Sequence, residues 1–319
     1  MDQLALVLHD GRVLVLGGEV EPGSPVPWVQ LYDPISGRWS MGQDMQVARI
    51  GESATVLDDG RVLVAGGIGP DMRDLSSAEM FEPNTGTWTS VASLPQTRFS
   101  HSASLLPGGR LLVVAGIVNG SISRSTLIYD ERLNSWAPGP STHFGHAQQS
   151  SATLRDGRIL IAGGYSVGSE VYDPRVNSWS EVGTVPFRAQ PVMTILEDGS
   201  VLLAAGLDRR DRERRTAEIY EPILASWHAT GELHTGRDAA SGILLADGRV
   251  LLVGGRAFPF KILKTAELYD PLTGRWSAAA SMHAGRVSAS AVLLHDGRVL
   301  VCGGADLADG TRSCELYHA

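Results

Sequence analysis

Short apolar runs alternate with turn residues along the whole chain, and one such unit recurs seven times. In the first copy, Asp10 to Gly18, an Asp-Gly pair and an arginine precede four apolar residues and two glycines. Asp-Gly suits the centre of a tight hairpin turn, and β-branched residues and leucine favour a buried strand. Further copies begin at Asp59, Gly108, Asp156, Asp198, Asp247 and Asp296. Each copy therefore predicts a hairpin turn that leads into an inner strand.

Around each copy the pattern predicts four antiparallel strands. In the second repeat these are Glu52–Leu57, Arg61–Ala65, Ala78–Phe81 and a strand that contains Trp88. The last two are joined by a proline, polar residues and a glycine, which is the chemistry of a tight turn. A lone four-stranded sheet cannot bury both faces, so copies that start 42 to 49 residues apart predict sheets stacked side by side.

Aromatic residues recur at fixed offsets from these glycine pairs. The third strand carries Tyr32, Phe81, Tyr129, Tyr172, Tyr220, Tyr269 and Tyr317, and the fourth carries Trp39, Trp88, Trp136, Trp179, Trp227 and Trp276. With the glycine pairs, this pattern resembles the kelch-repeat β-propellers over essentially the whole chain. The resemblance implies an all-β, seven-bladed propeller with four antiparallel strands per blade, and it places the aromatic rings in the packing between blades.

We expect a single propeller domain over residues 1–319. The repeats lie near 1–48, 49–97, 98–145, 146–187, 188–236, 237–285 and 286–319. Only six repeats have a tryptophan strand, so the last blade is expected to lack its outer strand and to expose an unpaired edge. We therefore expect the chain to be an excerpt, or to lack an N-terminal strand that completes this blade.

Composition narrows the range of possible partners but leaves the cellular compartment open. A net charge of −8 and an isoelectric point near 5.6 argue against a nucleic-acid partner. No apolar run reaches the roughly 18 residues of a membrane span, and the first residues do not resemble a signal peptide. Export and a cytoplasmic location both remain open. Cys302 and Cys314 fall at positions that face each other in other repeats, so a disulfide between them is also left open.

Basic residues recur where each first strand begins. They are Arg49, Arg98, His146, Arg188, Arg237 and Arg286. An acid precedes the third-strand aromatic residue in five repeats, as Glu79, Glu170, Glu218, Glu267 and Glu315. One hypothesis is structural pairing of the two sets, and the other is a basic channel mouth that attracts an anionic ligand. In the third repeat, Leu127 stands at the position that the acid occupies in those five repeats.

Loops between second and third strands break the repeat on one face, which we expect to bind the ligand. Candidate ligand-binding residues there are Trp28, Tyr165, Arg209, Phe258, Phe260 and Lys261, together with the six basic residues above. The loop beside Tyr165 is the shortest and should leave a notch. Solvated charge is the alternative for Arg209, and local packing is the alternative for the two phenylalanines. If the ring of blades closes, the phenylalanines and Lys261 come within reach of Trp28.

No motif predicts a catalytic residue, a metal ligand or a cofactor. His143, His234 and His283 hold equivalent positions, but they are not expected to converge on a metal. The chain also resembles the propeller of galactose-oxidase-like copper enzymes. Their Cys-linked tyrosine is not expected here, because both cysteines occupy positions of small residues. We therefore expect a non-catalytic module that binds a protein, peptide or carbohydrate. The alternative is an enzyme, similar to kelch-fold sugar mutarotases, that acts on a small polar or anionic molecule.

Overall fold

The computed structural model describes residues 3–21, 23–304 and 313–318, and antiparallel strands dominate it. Seven sheets follow one another along the chain, each formed by one repeat, so the predicted all-β, seven-bladed fold class is confirmed. The chain divides into two compact units, Met1–Ala147 with three blades and Gln148–Ala319 with four. That both units belong to a single domain stays a prediction.

The first unit contains three four-stranded blades. Blade 1 consists of β1 (Leu4–Val7), β2 (Val13–Leu16), β3 (Val29–Asp33) and β4 (Arg38–Met41). Blade 2 consists of β5 (Ser53–Val56), β6 (Val62–Ala65), β7 (Ala78–Glu82) and β8 (Thr87–Val91), with a 3-10 turn at Pro70–Met72. Blade 3 consists of β9 (Ser102–Leu106), β10 (Arg110–Val114), β13 (Thr126–Asp130) and β14 (Ser135–Pro138), with a small hairpin of β11 (Ile117–Val118) and β12 (Ser121–Ile122).

The second unit contains the other four blades. Blade 4 consists of β15 (Gln149–Thr153), β16 (Ile159–Gly163), β17 (Gly168–Asp173) and β18 (Ser178–Thr184). Blade 5 consists of β19 (Val192–Ile195), β20 (Val201–Ala204), β21 (Ala217–Glu221) and β22 (Ser226–Ala229). Blade 6 consists of β23 (Ser241–Leu244), β24 (Val250–Val253), β27 (Ala266–Asp270) and β28 (Arg275–Ala279), with a hairpin of β25 (Arg256–Ala257) and β26 (Lys261–Ile262). Blade 7 has three strands among the described residues, β29 (Ser290–Leu293), β30 (Val299–Cys302) and β31 (Cys314–Tyr317).

Within each unit, adjacent blades pack through the apolar faces of their inner strands. Between blades 5 and 6, for example, Leu202 and Ile219 of one blade form a buried cluster with Val250 and Leu252 of the next. Within each of the first six blades, the third-strand aromatic ring packs against the fourth-strand tryptophan with ring centroids 4.9–5.3 Å apart. Tyr269 and Trp276 of blade 6 also belong to the buried cluster shared with blade 5, so these aromatic rings pack between blades as well, as the sequence pattern predicts.

The glycine pairs are needed for two consecutive left-handed backbone positions. The first residue of each pair has φ between 56° and 76°, and alanine occupies it at Ala115 and Ala205. The second has φ between 72° and 97° and is glycine in every repeat. In blades 2 to 6 its N–H donates to a carbonyl of the next repeat, as in the 2.7 Å bond from Gly255 N to the Arg286 carbonyl. The second glycine thus carries a backbone bond from one blade to the next.

The hydroxyl of Tyr220 lacks a partner that two of its counterparts have. Tyr129 and Tyr172 each donate to an asparagine five residues later, at 3.0 Å to Asn134 and 2.8 Å to Asn177. Ala225 takes that place after Tyr220, with a left-handed φ of 49°. Among the described residues the buried Tyr220 hydroxyl bonds to nothing.

Ala225→Asn is therefore expected to stabilise the protein by about 1 kcal/mol, because asparagine tolerates this backbone and would accept the hydroxyl hydrogen. Urea unfolding measures the change. The reverse substitution, Asn177→Ala, should destabilise by a similar amount. If Ala225→Asn gives the same gain in a Tyr220→Phe background, backbone preference alone explains it and the hydrogen bond contributes nothing.

A disulfide joins two strands of blade 7, which answers the question that the sequence left open. Cys302 and Cys314 lie directly opposite each other in β30 and β31, with Cα atoms 4.2 Å apart, and their sulfurs are bonded. The bridge ties the last strand to its neighbour. Within the described residues, no helix has the length and apolar character that a membrane crossing requires.

Candidate functional site

Five arginines of the repeat lie inside the blades. Arg49, Arg98, Arg188, Arg237 and Arg286 are at most 1% exposed.

In blade 6, Arg237 Nη1 donates to the carbonyls of Gly254 and Thr265, each at 3.0 Å, and Nη2 donates to Glu267 Oε1 at 2.6 Å. Equivalent ion pairs join Arg49 to Glu79, Arg188 to Glu218 and Arg286 to Glu315. Each of these arginines thereby ties the end of the second strand to the third strand.

This burial corrects the expectation of a basic mouth open to a ligand. The five arginines and His146 are shielded from solvent. A buried guanidinium must replace its lost hydration with bonds to protein atoms, so these arginines are not available to a ligand. Under the other hypothesis each arginine pairs with a glutamate of the repeat. Four arginines form such ion pairs, namely Arg49, Arg188, Arg237 and Arg286. Sequence alone could not decide between the two, since charge does not reveal whether a side chain points outward or into its own blade.

Blade 3 lacks the carboxylate, as its leucine predicts. Leu127 lies in β13 opposite Val113, and no acid pairs with Arg98 in the part of the chain that the structure describes. Arg98 instead donates to the backbone carbonyls of Ala115 and Ser125 and to the Ser125 hydroxyl. Burial without a counter-ion lowers the pKa of Arg98 to about 10, so it stays charged near neutral pH.

His234 and His283 bind the carboxylates that hold two of these arginines. His234 Nδ1 lies 3.1 Å from Glu267, and His283 Nδ1 lies 2.8 Å from Glu315. Burial raises the pKa of Glu315, but hydrogen bonds from the backbone and ring of His283, from Ala284 and from Arg286 outweigh it, and the net pKa falls to about 2. These histidines lie in the loops that leave blades 5 and 6, and each caps a structural ion pair of the following blade.

A cleft of about 520 Å³ opens between loops of blades 4, 5 and 6. Tyr165 and Phe187 form one wall, with ring centroids 6.1 Å apart in an edge-to-face arrangement. The Arg209 guanidinium lies over the Phe187 ring at 5.4 Å. Gln148 and Gln190 also line the cleft; both have left-handed φ values, and Gln190 N donates to the Gln148 carbonyl at 3.2 Å. The volume falls within the range of about 300–1,000 Å³ that is typical of small-molecule sites.

The charges at the cleft nearly balance. Arg209 and Arg256 face Asp208 and Asp211 along its lining. Arg256 is held by the fully buried Asp238 at 2.7 Å, and the hydrogen bond between them raises the pKa of Arg256. Asp208 accepts the backbone N–H groups of Arg210 and Arg212. The cleft is therefore polar and aromatic without a strong net charge.

The structure brings some of the predicted residues to this cleft and separates others from it. Tyr165 and Arg209 line it. The β25–β26 hairpin exposes Phe258, Phe260 and Lys261 to solvent. The two phenylalanine rings are therefore not packed locally, which was the alternative interpretation. Trp28 is half-buried in the first unit, and its proximity to that hairpin stays a prediction. Phe187 was missed because its position just before Arg188 looks like part of the repeat.

Two family models match the sequence, both described as the Kelch motif. One matches residues 3–46, 51–95 and 240–283, and the other matches residues 97–143. Together they cover more than half of the chain.

Curated relatives include two galactose oxidase sequences from Gibberella zeae, each 40% identical over 48 residues. The match spans 15% of this chain and 7% of the length of those oxidases.

Two solved structures show the same fold. A fungal alcohol oxidase of the AA5 family, in complex with copper, aligns with a TM-score of 0.78 and 20% identity, over 98% of this chain and 71% of the oxidase. A protein named YjhT aligns with a TM-score of 0.69 and 14% identity, over 88% of this chain and 97% of that protein. At these identities the alignments establish the fold alone.

These relatives correct the functional expectation drawn from the sequence. A non-catalytic module was the favoured hypothesis, but the galactose oxidases and the alcohol oxidase are enzymes by name. The expected assignment is therefore wrong.

The residues do not fit the copper of the alcohol oxidase. In residues 3–21, 23–304 and 313–318, no three His, Cys, Asp or Glu side chains are grouped so as to hold a metal ion. Cys302 and Cys314 are bonded to each other, which leaves neither sulfur for a bond to tyrosine. We assign no copper chemistry to the described residues. The motif matches, the seven blades and the shared fold instead establish one point: the chain belongs to the kelch-repeat β-propeller family.

Proposed function

We propose that this chain belongs to an enzyme that acts on a sugar or a similar polyhydroxylated alcohol, and that the substrate binds in the cleft of blades 4 to 6. The observation that carries the proposal is the pairing of the Tyr165 and Phe187 rings with the polar side chains of Gln148 and Gln190 around one cavity. The names of the relatives, galactose oxidase and alcohol oxidase, support the same substrate class.

The chemistry of the lining suits a neutral polyol. A sugar ring presents an apolar C–H face, which packs on an aromatic ring, and hydroxyl groups, which both donate and accept hydrogen bonds. Glutamine amides and the Asp211 carboxylate match those hydroxyls, and Arg209 adds donors beside Phe187. Because the cationic and anionic groups nearly balance, the cleft has no reason to prefer a charged ligand over a neutral one.

Calorimetric titration with galactose, glucose, xylose and glycerol tests the proposal. At least one of these compounds is expected to bind, and Tyr165→Ala should weaken its binding roughly tenfold, because the substitution removes an aromatic wall of the cleft. Turnover of the bound compound is followed by NMR of the reaction mixture and should fall in the same variant.

Leu224→Ala provides the matched control. Leu224 is 72% exposed in the turn after β21 and does not line the cleft, so its truncation should change neither binding nor turnover. If no compound in the panel binds to the wild-type protein, or if Tyr165→Ala binds as well as Leu224→Ala, the proposal is wrong.

A further inference from the structure

The β25–β26 hairpin of blade 6 ends in two exposed aromatic rings. Phe258 is 78% exposed and Phe260 is 74% exposed, whereas Ala257 and Leu263 at the base of the hairpin are buried. Large apolar side chains that stand together in solvent are typical of a contact site, because leaving them exposed gives up the free energy of burial.

A second hairpin in the chain shows that these rings are not needed to form the structure. The β11–β12 hairpin follows Ala115-Gly116 of blade 3, as β25–β26 follows the glycine pair of blade 6. Its tip is Asn119-Gly120, both with positive φ, the combination that a tight hairpin turn favours. Polar turn residues therefore suffice at this place in the repeat. The aromatic tip of blade 6 calls for another explanation.

The base of the β25–β26 hairpin is fixed to the wall of the cleft. Arg256 lines the cleft, and its backbone exchanges two hydrogen bonds with Asp238, at 2.9 and 3.1 Å. Its side chain is held by the buried Asp238 carboxylate at 2.7 Å. Phe258 begins the turn of the hairpin two residues after Arg256, so the Cα atoms of these two residues are at most about 7 Å apart. The exposed rings are therefore close along the chain to the rim of the cleft.

The burial pattern of the hairpin leaves two of its side chains accessible beside the cleft. Ala257 is buried, whereas Arg256 and Phe258 on either side of it are not. Arg256, which lines the cleft, and Phe258, in the turn that follows, are therefore both accessible to one ligand.

We infer that the cleft and the hairpin tip form one binding surface for a sugar chain. The inference rests on the proposed function, and it adds that the substrate is an oligosaccharide or polysaccharide. One unit occupies the cleft, and the apolar faces of the following units stack on Phe258 and Phe260. The exposed Lys261 ammonium, next to Phe260, donates hydrogen bonds to hydroxyls of the same units.

The test compares ligands of increasing length on the intact chain. Galacto-, gluco- and xylo-oligosaccharides of one to six units are titrated against the wild-type protein and against a variant that carries Phe258→Ser and Phe260→Ser. In the wild type, the ratio of six-unit to one-unit affinity is expected to be roughly tenfold or more for the preferred sugar, and the serine variant should bring that ratio close to one. A variant with Phe258→Tyr and Phe260→Tyr keeps the flat rings and should restore the ratio.

Each other outcome separates this inference from the proposed function. If single sugars bind in the cleft but affinity does not grow with chain length, or if the serine variant keeps the gain, the hairpin inference is wrong and the cleft assignment stands. If no sugar of any length binds, both are wrong. Sedimentation with phosphatidylcholine vesicles that contain phosphatidylglycerol is the remaining arm. Vesicle binding that the serine variant loses, with an unchanged length ratio, would assign the rings to a membrane surface instead.

Discussion

Arg237→Met is expected to lower the free energy of unfolding by about 3–5 kcal/mol, because Glu267 would remain as a buried carboxylate without its cation. Glu267 is 3% exposed, and the Arg237 side chain is fully buried beside it. Urea unfolding of the purified variant measures the loss. The matched variant is Arg98→Met, since Arg98 is equally buried but has no carboxylate partner among the described residues. Its expected loss is about 1–3 kcal/mol, from carbonyl and hydroxyl acceptors that lose a donor.

A double variant separates the charge effect from lost packing. Blade 3 carries Leu127 where blade 6 carries Glu267, so Glu267→Leu copies an arrangement that the chain already contains. Added to Arg237→Met, it should recover about 1–2 kcal/mol, because no uncompensated carboxylate is left in the blade. A double variant less stable than Arg237→Met alone would show that the carboxylate is not the source of the loss.

Gly255→Ala is the second substitution with a large expected effect. Gly255 has φ of 94°, and a Cβ atom there would lie 2.6 Å from the Asp238 carbonyl oxygen. Strain of the backbone and this close contact should together cost about 2–4 kcal/mol, seen as a lower midpoint in urea and in thermal unfolding. The backbone bond from Gly255 to Arg286 would weaken as the chain shifts.

Gly108→Ala serves as the comparison in a turn of blade 3. Gly108 also has a positive φ, 82°, but among the described residues no heavy atom would lie within 4 Å of a Cβ atom there. Only the backbone strain remains, so the expected loss is about 1 kcal/mol. Equal losses in the two variants would show that the close contact with the Asp238 carbonyl oxygen contributes nothing.

The repeat made much of the fold predictable, because its signals are local. Turn residues, apolar runs and glycine pairs fix strands and hairpins over a few residues, and the aromatic pairs follow from their constant offsets. The small hairpins β11–β12 and β25–β26 were missed, since each has only two residues per strand. The disulfide could be left open as an alternative because Cys302 and Cys314 hold facing positions.

The site was less predictable, because it depends on burial and on loops from three blades. The arginines recur regularly, yet only the folded blade shows that they are enclosed and bonded to carbonyls. Phe187 precedes such an arginine and becomes a cleft wall only when the Tyr165 loop packs beside it. Gln148 and Gln190 each lie two residues after the repeat's basic residue, and nothing in the sequence indicates that a backbone bond joins them.

The bridge in blade 7 has a practical consequence for labelling. The sequence contains two cysteines, and both are consumed by the bond between Cys302 and Cys314. A cysteine introduced at an exposed position, such as Lys261→Cys on the aromatic hairpin, would be the one reactive thiol in the protein under non-reducing conditions. A fluorophore or spin label placed there reports on that hairpin without first removing any native residue.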